Sequence, residues 1–175
     1  MDISTILKEF KVLTEKDWNK YTDRQNNVRT AQLNTRYIPV IFNLHSDNDN
    51  KSEYYTSFIS SINKVRSFLV STFKSPISIG RVLFTELPSG KKILLHKDGG
   101  NFLENYIRIH IPLISNDQVK FMVKDQDIVS TYYLEPGKVY ALNNCKCSHG
   151  VHNASSVDRY HLIVDIKITD SSSVI

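Results

Sequence analysis

Three residues of this chain carry the side chains that a mononuclear iron site requires, and a fourth could bind an anion beside it. His96 and Asp98 form a His-x-Asp pair on one segment, His149 follows far along the chain, and Arg159 comes ten residues later. Two imidazoles and one carboxylate can occupy one face of an Fe(II) octahedron, which leaves the opposite face for a chelating substrate and dioxygen. The Arg159 guanidinium could hold a distant carboxylate. The pattern favours a mononuclear iron site, although a strand-edge ion pair between His96 and Asp98 would use the same residues.

The segment NYIRIHIPLI offers a second polar pair, because successive side chains of a strand point to opposite faces. Arg108 and His110 share one face, whereas Ile107, Ile109 and Ile111 share the other. Burying a cation and an imidazole in a plain apolar core would be costly, so the polar face predicts a lined, partly hydrated pocket. A structural salt bridge is the alternative role for this pair.

A separate metal-binding hypothesis concerns Cys145, Cys147, His149 and His152, because thiolates and imidazoles in a short span can hold zinc. The cysteines are predicted to lie on a strand as reduced thiols. Four ligands within eight residues do not easily form a tetrahedron, which disfavours zinc. His152 also competes with His149 as an iron ligand, but the order of residues leading to Arg159 favours His149.

The elements that must position these residues follow from hydrophobic periodicity. Apolar residues recur at helical spacing over residues 2–25 and again over residues 53–73. Between them, TRYIPVIFNL predicts a strand, and its Pro39 indicates a sheet edge or a strand end. From Ile77 onward, short strands with close turns predict an antiparallel sandwich or barrel. The predicted strand segments are ISIGRVLFTEL, ILLHKD, NYIRIHIPLI, VKFMVKD, IVSTYYL, VYALNN and RYHLIVDIKI.

Composition describes one ordinary globular domain. The chain has 175 residues, 41% of them hydrophobic and 23% charged, which is enough for a core without disulfides. The net charge of +4 is spread along the chain, so a nucleic-acid footprint is disfavoured. No apolar run reaches the roughly 18 residues that a membrane-spanning helix needs, and no signal-peptide core is visible. We expect a cytoplasmic protein without membrane contact, and no pattern indicates an oligomeric state.

Four ordered blocks carry a resemblance to a known family: TELPSGKKILLHKD, RIHIPL, EPGKVYALNN and SHGVHNASSVDRYHLIVD. From about Trp18 to Asp165 the chain resembles the aspartyl/asparaginyl β-hydroxylases, which include small bacterial proline hydroxylases. These proteins belong to the Fe(II)- and 2-oxoglutarate-dependent oxygenases. The resemblance implies a mainly β fold with flanking N-terminal helices around a double-stranded β-helix, the cupin-like jelly roll. It also implies a single domain, residues 1–175, with helical support over about 1–76 and the core over about 77–169.

The resemblance implies a role for each matching residue. His96, Asp98 and His149 would bind iron, and Arg159 would pair with the far carboxylate of 2-oxoglutarate, helped by the Thr85 hydroxyl. An exposed ion pair or ordinary strand composition is the alternative reading of these last two positions.

Arg108 and His110 fall where the family holds the near carboxylate of the cosubstrate. The implied reaction hydroxylates an amino-acid side chain, consumes dioxygen and decarboxylates 2-oxoglutarate to succinate and CO2, with ascorbate as a possible reductant. The substrate would be a polypeptide residue or a free amino acid such as proline. A different oxygenase substrate, such as alkylated nucleic acid, and a non-catalytic jelly-roll binding module are the alternatives. Loops at residues 46–53 and 97–104 and at SNDQ are expected to influence substrate choice.

Overall fold

The computed structural model describes residues 1–26, 31–42, 51–99, 101–143 and 145–169. Over these ranges two antiparallel sheets form the body of the molecule, and helices cover one of them. No helix in the described ranges is long and apolar enough to cross a membrane. Residues 46–50 and Gly100, from the loops predicted to influence substrate choice, lie outside the described residues.

The N-terminal part forms three short helices rather than one continuous helix. The first break follows from a capping box, in which the Asp17 carboxylate accepts hydrogen bonds from the Thr14 backbone N–H at 2.7 Å and the Thr14 hydroxyl at 2.6 Å. Phe10 and Trp18 are buried and pack edge to face, with ring centroids 6.1 Å apart. The helices are α1 (Ser4–Phe10), α2 (Glu15–Trp18) and α3 (Asp23–Asn26).

The helix predicted over residues 53–73 begins slightly later than expected. One 3-10 turn (Thr56–Phe58) leads into α4 (Ile59–Phe73). The helix ends at Lys74, which adopts a left-handed conformation (φ 52°) shortly before Pro76. Its buried apolar side chains lie on one face and pack, together with α1, on the larger sheet. They are Phe58, which precedes the helix, and Ile62, Val65 and Leu69.

The larger sheet contains β1 (Arg36–Phe42), β2 (Ile77–Leu87), β4 (Ile107–Ile114), β7 (Tyr140–Leu142) and β9 (Arg159–Ile168). Their spatial order is β1, β2, β9, β4, β7. Because β1 is an edge strand, the missing N–H of Pro39 is tolerated, as predicted. The strand predicted from TRYIPVIFNL, within the supporting segment of about residues 1–76, is therefore confirmed as β1.

The smaller sheet contains β3 (Lys92–His96), β5 (Val119–Asp125), β6 (Ile128–Tyr132) and β8 (Ser148–Asn153). Their order is β3, β8, β5, β6, and a short helix α5 (Asn101–Glu104) connects β3 to β4. The prediction that Cys145 and Cys147 lie on a strand is wrong: they lie in the turn before β8. Both thiols are free, as expected.

The two faces of the larger sheet differ in chemistry. On β9, Leu162 and Val164 belong to the apolar core beneath the helices, whereas Arg159 and His161 are buried on the face toward the smaller sheet. On β4 the predicted alternation is confirmed, because Ile109 and Ile111 pack under the helices while Arg108 and His110 line the interior. A second, smaller apolar core between the sheets contains Leu87, Val119, Phe121, Leu134 and Val151. The cavity beside this core is lined mainly by polar side chains.

A bulge in β2 brings its polar residues to that interior. The register of β2 against β9 shifts between Ile79 and Arg81. Ile79 before the shift and Val82 and Phe84 after it all pack under the helices. The alternation is therefore reversed at the bulge, and Arg81 and Thr85 face the space between the sheets.

Candidate metal centre and carboxylate pocket

His96, Asp98 and His149 meet in the space between the two sheets. One ligand atom from each lies within 4.8 Å of the other two. The His96 Nε2 atom is 3.3 Å from Asp98 Oδ1, and the His149 Nε2 atom is 3.8 Å from Asp98 Oδ2. Two ligand atoms at right angles on a metal with bonds of about 2.1 Å are separated by about 3 Å. The three ligand atoms are therefore grouped closely enough to bind one metal ion once the side chains move inward by about an ångström.

A second bulge, in β3, turns His96 toward His149. Ile93 pairs with Val151 and His96 pairs with His149, so two β3 residues lie opposite the single residue Gly150. In a regular strand, residues three positions apart such as Ile93 and His96 would point to opposite faces, whereas the bulge lets both follow the alternation of Val151 and His149. The β3 backbone lies so close to Gly150 that an added Cβ would be 2.9 Å from the Ile93 carbonyl oxygen. Glycine at this position thus permits the bulge that forms the centre.

Backbone carbonyls fix the orientation of both imidazoles. The Leu94 carbonyl accepts a hydrogen bond from His96 Nδ1 at 2.7 Å, which leaves the lone pair on Nε2, facing the centre. The Cys147 carbonyl lies 3.4 Å from His149 Nδ1 and favours the same tautomer there. The Gln32 side-chain amide lies 2.6 Å from His96 Nε2. A metal ion would have to displace this contact.

The pKa values of the two imidazoles shift in opposite directions. Burial lowers the pKa of His96, but its hydrogen bonds to Asp98 and to the Leu94 carbonyl outweigh burial and raise it overall. For His149, burial dominates over the attraction of Asp98 and lowers the pKa. Neutral imidazole is the form that binds a metal ion.

Arg108 holds the Asp98 carboxylate in place. Its Nη1 atom donates to Asp98 Oδ2 at 2.6 Å, and its Nε and Nη2 atoms donate to the two oxygens of Asp165 at 2.7 and 2.9 Å. Asp165 is completely buried and also lies 3.8 Å from the Arg81 guanidinium. These contacts favour the structural salt-bridge role of Arg108, and its contact with a cosubstrate carboxylate stays a prediction.

Arg159 marks the deep end of the same cavity. The side chain is 4% exposed, and no carboxylate in the described part of the chain forms an ion pair with it. Its Nη2 atom lies 2.8 Å from Nδ1 of His161, and burial lowers the pKa of Arg159 to about 9. Thr85 lies opposite His161 in the neighbouring strand, and its hydroxyl donates only a long hydrogen bond of 3.4 Å to the His161 carbonyl. A buried cation without an anion nearby is costly, so the site suits a ligand that brings a carboxylate.

His110 adds a neutral polar group to this cavity. It is buried, and both ring nitrogens lack a hydrogen-bond partner within the described structure. Burial, with a smaller contribution from the nearby Arg108 charge, lowers the pKa of His110 to about 3. Buried polar atoms are rarely left unsatisfied, and a bound ligand or water would satisfy them.

Comparison with known proteins identifies the family. A sequence model of the aspartyl/asparaginyl β-hydroxylases matches residues 2–168. The chain belongs to this family. A search of curated protein sequences found no match to this hydroxylase.

The hydroxylase shares its fold with solved oxygenases. An oxidoreductase of the 2OG-Fe(II) oxygenase family from Burkholderia pseudomallei superposes with a TM-score of 0.61 at 15% identity, covering 78% of this chain and 67% of that chain. A non-heme monooxygenase, the ThoJ-Ni complex, superposes with a TM-score of 0.54 at 10% identity, covering 94% of this chain and 67% of that chain. These likenesses confirm the predicted jelly-roll fold. Membership of the family makes the chain an enzyme of the hydroxylase type.

The structure of β8 bears on two alternatives for the hydroxylase, namely His152 as the iron ligand and a zinc site between Cys145 and His152. Val151 and Asn153 are buried beside His149 on alternate positions of β8, whereas His152 points away and lies opposite Lys120 on the neighbouring strand. Among the described residues, only the trio is grouped closely enough to hold a metal ion. The zinc hypothesis for the segment from Cys145 to His152 is therefore not supported.

Three residues near the site were not predicted. Asp165 and His161 share the interior face of β9 with Arg159. Three polar residues among the four positions of one parity from Arg159 to Asp165, with Ile163 the exception, are a signal that could have found them. Gln32 lies in a turn, and its spacing carries no such signal.

Proposed function

We propose that this hydroxylase uses Fe(II) and 2-oxoglutarate to hydroxylate an amino-acid side chain, with decarboxylation of 2-oxoglutarate to succinate and CO2. One observation carries the proposal. A single cavity contains both the His96, Asp98 and His149 trio and a buried guanidinium, Arg159, that has no acidic partner among the described residues. A metal site alone would suit many reactions, but a metal site beside a carboxylate pocket suits a dicarboxylate cosubstrate.

The donor set selects the metal. Two imidazoles and one carboxylate with the opposite face open form the set used by non-heme Fe(II) oxygenases. When bound, iron with dioxygen supplies the oxidising power needed to insert oxygen into an unactivated C–H bond. Asp98 neutralises part of the metal charge, and Arg108 keeps that carboxylate oriented toward the centre.

The deep end of the cavity would bind the cosubstrate. The planar fork of Arg159 matches a carboxylate. The single O–H of Thr85 makes only a long hydrogen bond to the His161 carbonyl and could turn to donate to that carboxylate instead. Neutral His110 can donate one N–H and accept one hydrogen bond without adding charge. Phe121 and Ile163 line the same cavity and limit the access of water. Each of these side chains would position the reactants or exclude water, and no bond of these side chains needs to form or break in the reaction.

The test is iron-dependent turnover of 2-oxoglutarate. Purified protein with 2-oxoglutarate, Fe(II), ascorbate and air should release succinate. A panel of amino acids and peptides added to the same mixture should include a compound that gains about sixteen daltons by mass spectrometry. The variant His149→Ala should lose both succinate release and Ni(II) binding measured by calorimetry. His152→Ala is the matched control, because His152 lies on the same strand but points away from the centre. Retained turnover in His149→Ala would refute the proposed role of this residue.

We also propose that residues 1–175 act as one domain. Helices α1 and α4 and strand β1 cover or extend the larger sheet, and their apolar residues form one core with those of β2, β4 and β9. A chain that begins at residue 77 would expose this face to water, so it should be insoluble or unfolded by circular dichroism.

A further inference from the structure

Arg24 on α3 lies at the outer end of the cavity that contains the metal trio. It lines this cavity together with His96 and Asp98. It also lines an adjoining outer recess, with Arg81, that Arg159 does not reach. Arg24 and Arg159 therefore serve different parts of the space around the candidate metal centre.

Within the described ranges, the ring contact and the hydrogen bond of Arg24 are with neutral groups. Its guanidinium lies over the Tyr37 ring, 4.3 Å from the centroid, and its Nη1 atom donates to the Thr35 hydroxyl at 3.3 Å. The carboxylate of its neighbour Asp23 accepts a hydrogen bond from the Tyr37 hydroxyl at 2.7 Å. No described carboxylate forms an ion pair with Arg24, whereas Arg108 pairs with two. Burial lowers the pKa of Arg24 to about 10, so the side chain remains charged at neutral pH.

The recess carries an excess of positive charge. Four cations line it, and two carboxylates lie beside them, which leaves two net positive charges before any metal ion is added. A concave, partly desolvated surface of one sign concentrates ligands of the opposite sign. The cations are Arg24, Arg81, Lys97 and Arg108, and the carboxylates are Asp98 and Asp165.

We propose that Arg24 is a specificity-determining residue that binds a carboxylate of the substrate at the outer side of the metal centre. This inference rests on the proposed function. A guanidinium held flat by Tyr37 and Thr35 presents a rigid fork, which matches a carboxylate better than a flexible ammonium would. The carboxylate belongs either to the backbone of a free amino acid or to an acidic side chain in a peptide. A neutral substrate would leave the charge of Arg24 uncompensated.

The experiment compares acids with their amides. The probes are the free amino acids, the same amino acids as α-carboxamides, and capped tripeptides with a central Asp or Asn. Binding to the Ni(II)- and 2-oxoglutarate-loaded protein is measured by calorimetry, and stimulated succinate release is measured with Fe(II). The variants are Arg24→Gln, Arg24→Lys and the control Arg66→Gln, which removes the same charge from an exposed position on α4.

A carboxylate probe should bind at least tenfold more tightly than its amide, and Arg24→Gln should remove this difference while Arg66→Gln keeps it. Arg24→Lys should restore only part of the preference. Preference for free acids over α-carboxamides assigns the backbone carboxylate, and preference for the Asp over the Asn tripeptide assigns the side chain. Equal binding of acid and amide, an unchanged preference in Arg24→Gln, or no binding of any carboxylate probe would overturn the inference. Failure of the proposed function would be distinguishable from failure of this inference, because wild-type protein would then release no succinate under any condition.

Discussion

Replacement of Gly150 by Ala tests whether the β3 bulge builds the metal centre. The added Cβ would lie 2.9 Å from the Ile93 carbonyl oxygen, 3.2 Å from the Leu95 nitrogen and 3.3 Å from the Leu94 carbonyl carbon. All three are backbone atoms, so no side-chain rotation can relieve the contact. Ordinary contacts begin near 3.4 Å, so β3 and β8 must separate by 3.4 minus 2.9, or 0.5 Å.

The separation should weaken both the fold and the site. Overpacking a well-packed region costs about 1–3 kcal/mol, and loss of glycine flexibility in the unfolded chain returns about 0.5–1 kcal/mol. We therefore expect Gly150→Ala to lower the free energy of unfolding by about 1–2 kcal/mol. His96 and His149 lie opposite each other across this strand pair, and a site tolerates displacements of only about 0.5 Å. Metal affinity should fall at least tenfold.

Two measurements, each comparing Gly150→Ala with a control variant, test this expectation. Urea unfolding gives the stability, and anaerobic calorimetric titration with Fe(II) or Ni(II) gives the affinity. Gly99→Ala is the matched control, since a Cβ there would meet nothing within 4 Å although the residue directly follows Asp98. If Gly150→Ala unfolds and binds metal like Gly99→Ala, the close approach of β3 to Gly150 does not position the ligands.

Three further predictions concern the buried charges. Asp165→Asn should lower the free energy of unfolding by about 3 kcal/mol, because it removes one of the two carboxylates that neutralise the Arg108 guanidinium. Urea unfolding measures this loss, and Asp125→Asn, at an exposed position, is the control. Arg159→Leu should weaken 2-oxoglutarate binding by at least tenfold while Ni(II) binding is preserved, as calorimetry would show; equal loss of both would indicate misfolding. Burial keeps the pKa of His110 at about 3, below its ordinary value, so the unfolded chain takes up the proton first and stability is lost as the pH falls from about 6.5. At pH 5 the loss from this residue is about 2 kcal/mol, and His110→Gln should reduce the pH dependence of urea unfolding by that amount.

The strands were predictable wherever apolar alternation was strong. The segment ISIGRVLFTEL coincides with β2 (Ile77–Leu87), because β-branched residues run between clear turn signals. β8 (Ser148–Asn153) was not among the predicted strands, since SHGVHN is short, polar and contains glycine. It is a strand because β3 and β5 pair with both of its edges. Pairing with strands that are distant in the sequence stabilises β8, so the sequence of the segment itself carries no strand pattern.

The candidate site was predictable in its residues but not in its construction. His96, Asp98 and His149 were named from type and spacing, and the structure brings them together. Plain alternation does not predict the bulges in β2 and β3 that turn Arg81, Thr85 and His96 inward. Each bulge depends on where the partner strand starts and ends its pairing, which a single segment does not reveal.

Charge pairing separates the structural arginines of the interior from those that await a ligand. Arg108 is saturated by two carboxylates, and Arg81 lies beside one of the same two. These arginines position the centre. Arg159 and Arg24 have no such partner in the described ranges, one at the deep end and one at the outer end of a single cavity. Arg159 is buried and Arg24 is half-buried. Since a desolvated cation without an anion beside it is costly in the folded protein, ligand anions could contribute most to binding at these two positions. Under the proposed function and the inference for Arg24, the deep end of the cavity would bind the dicarboxylate cosubstrate and the outer end would bind an acidic substrate.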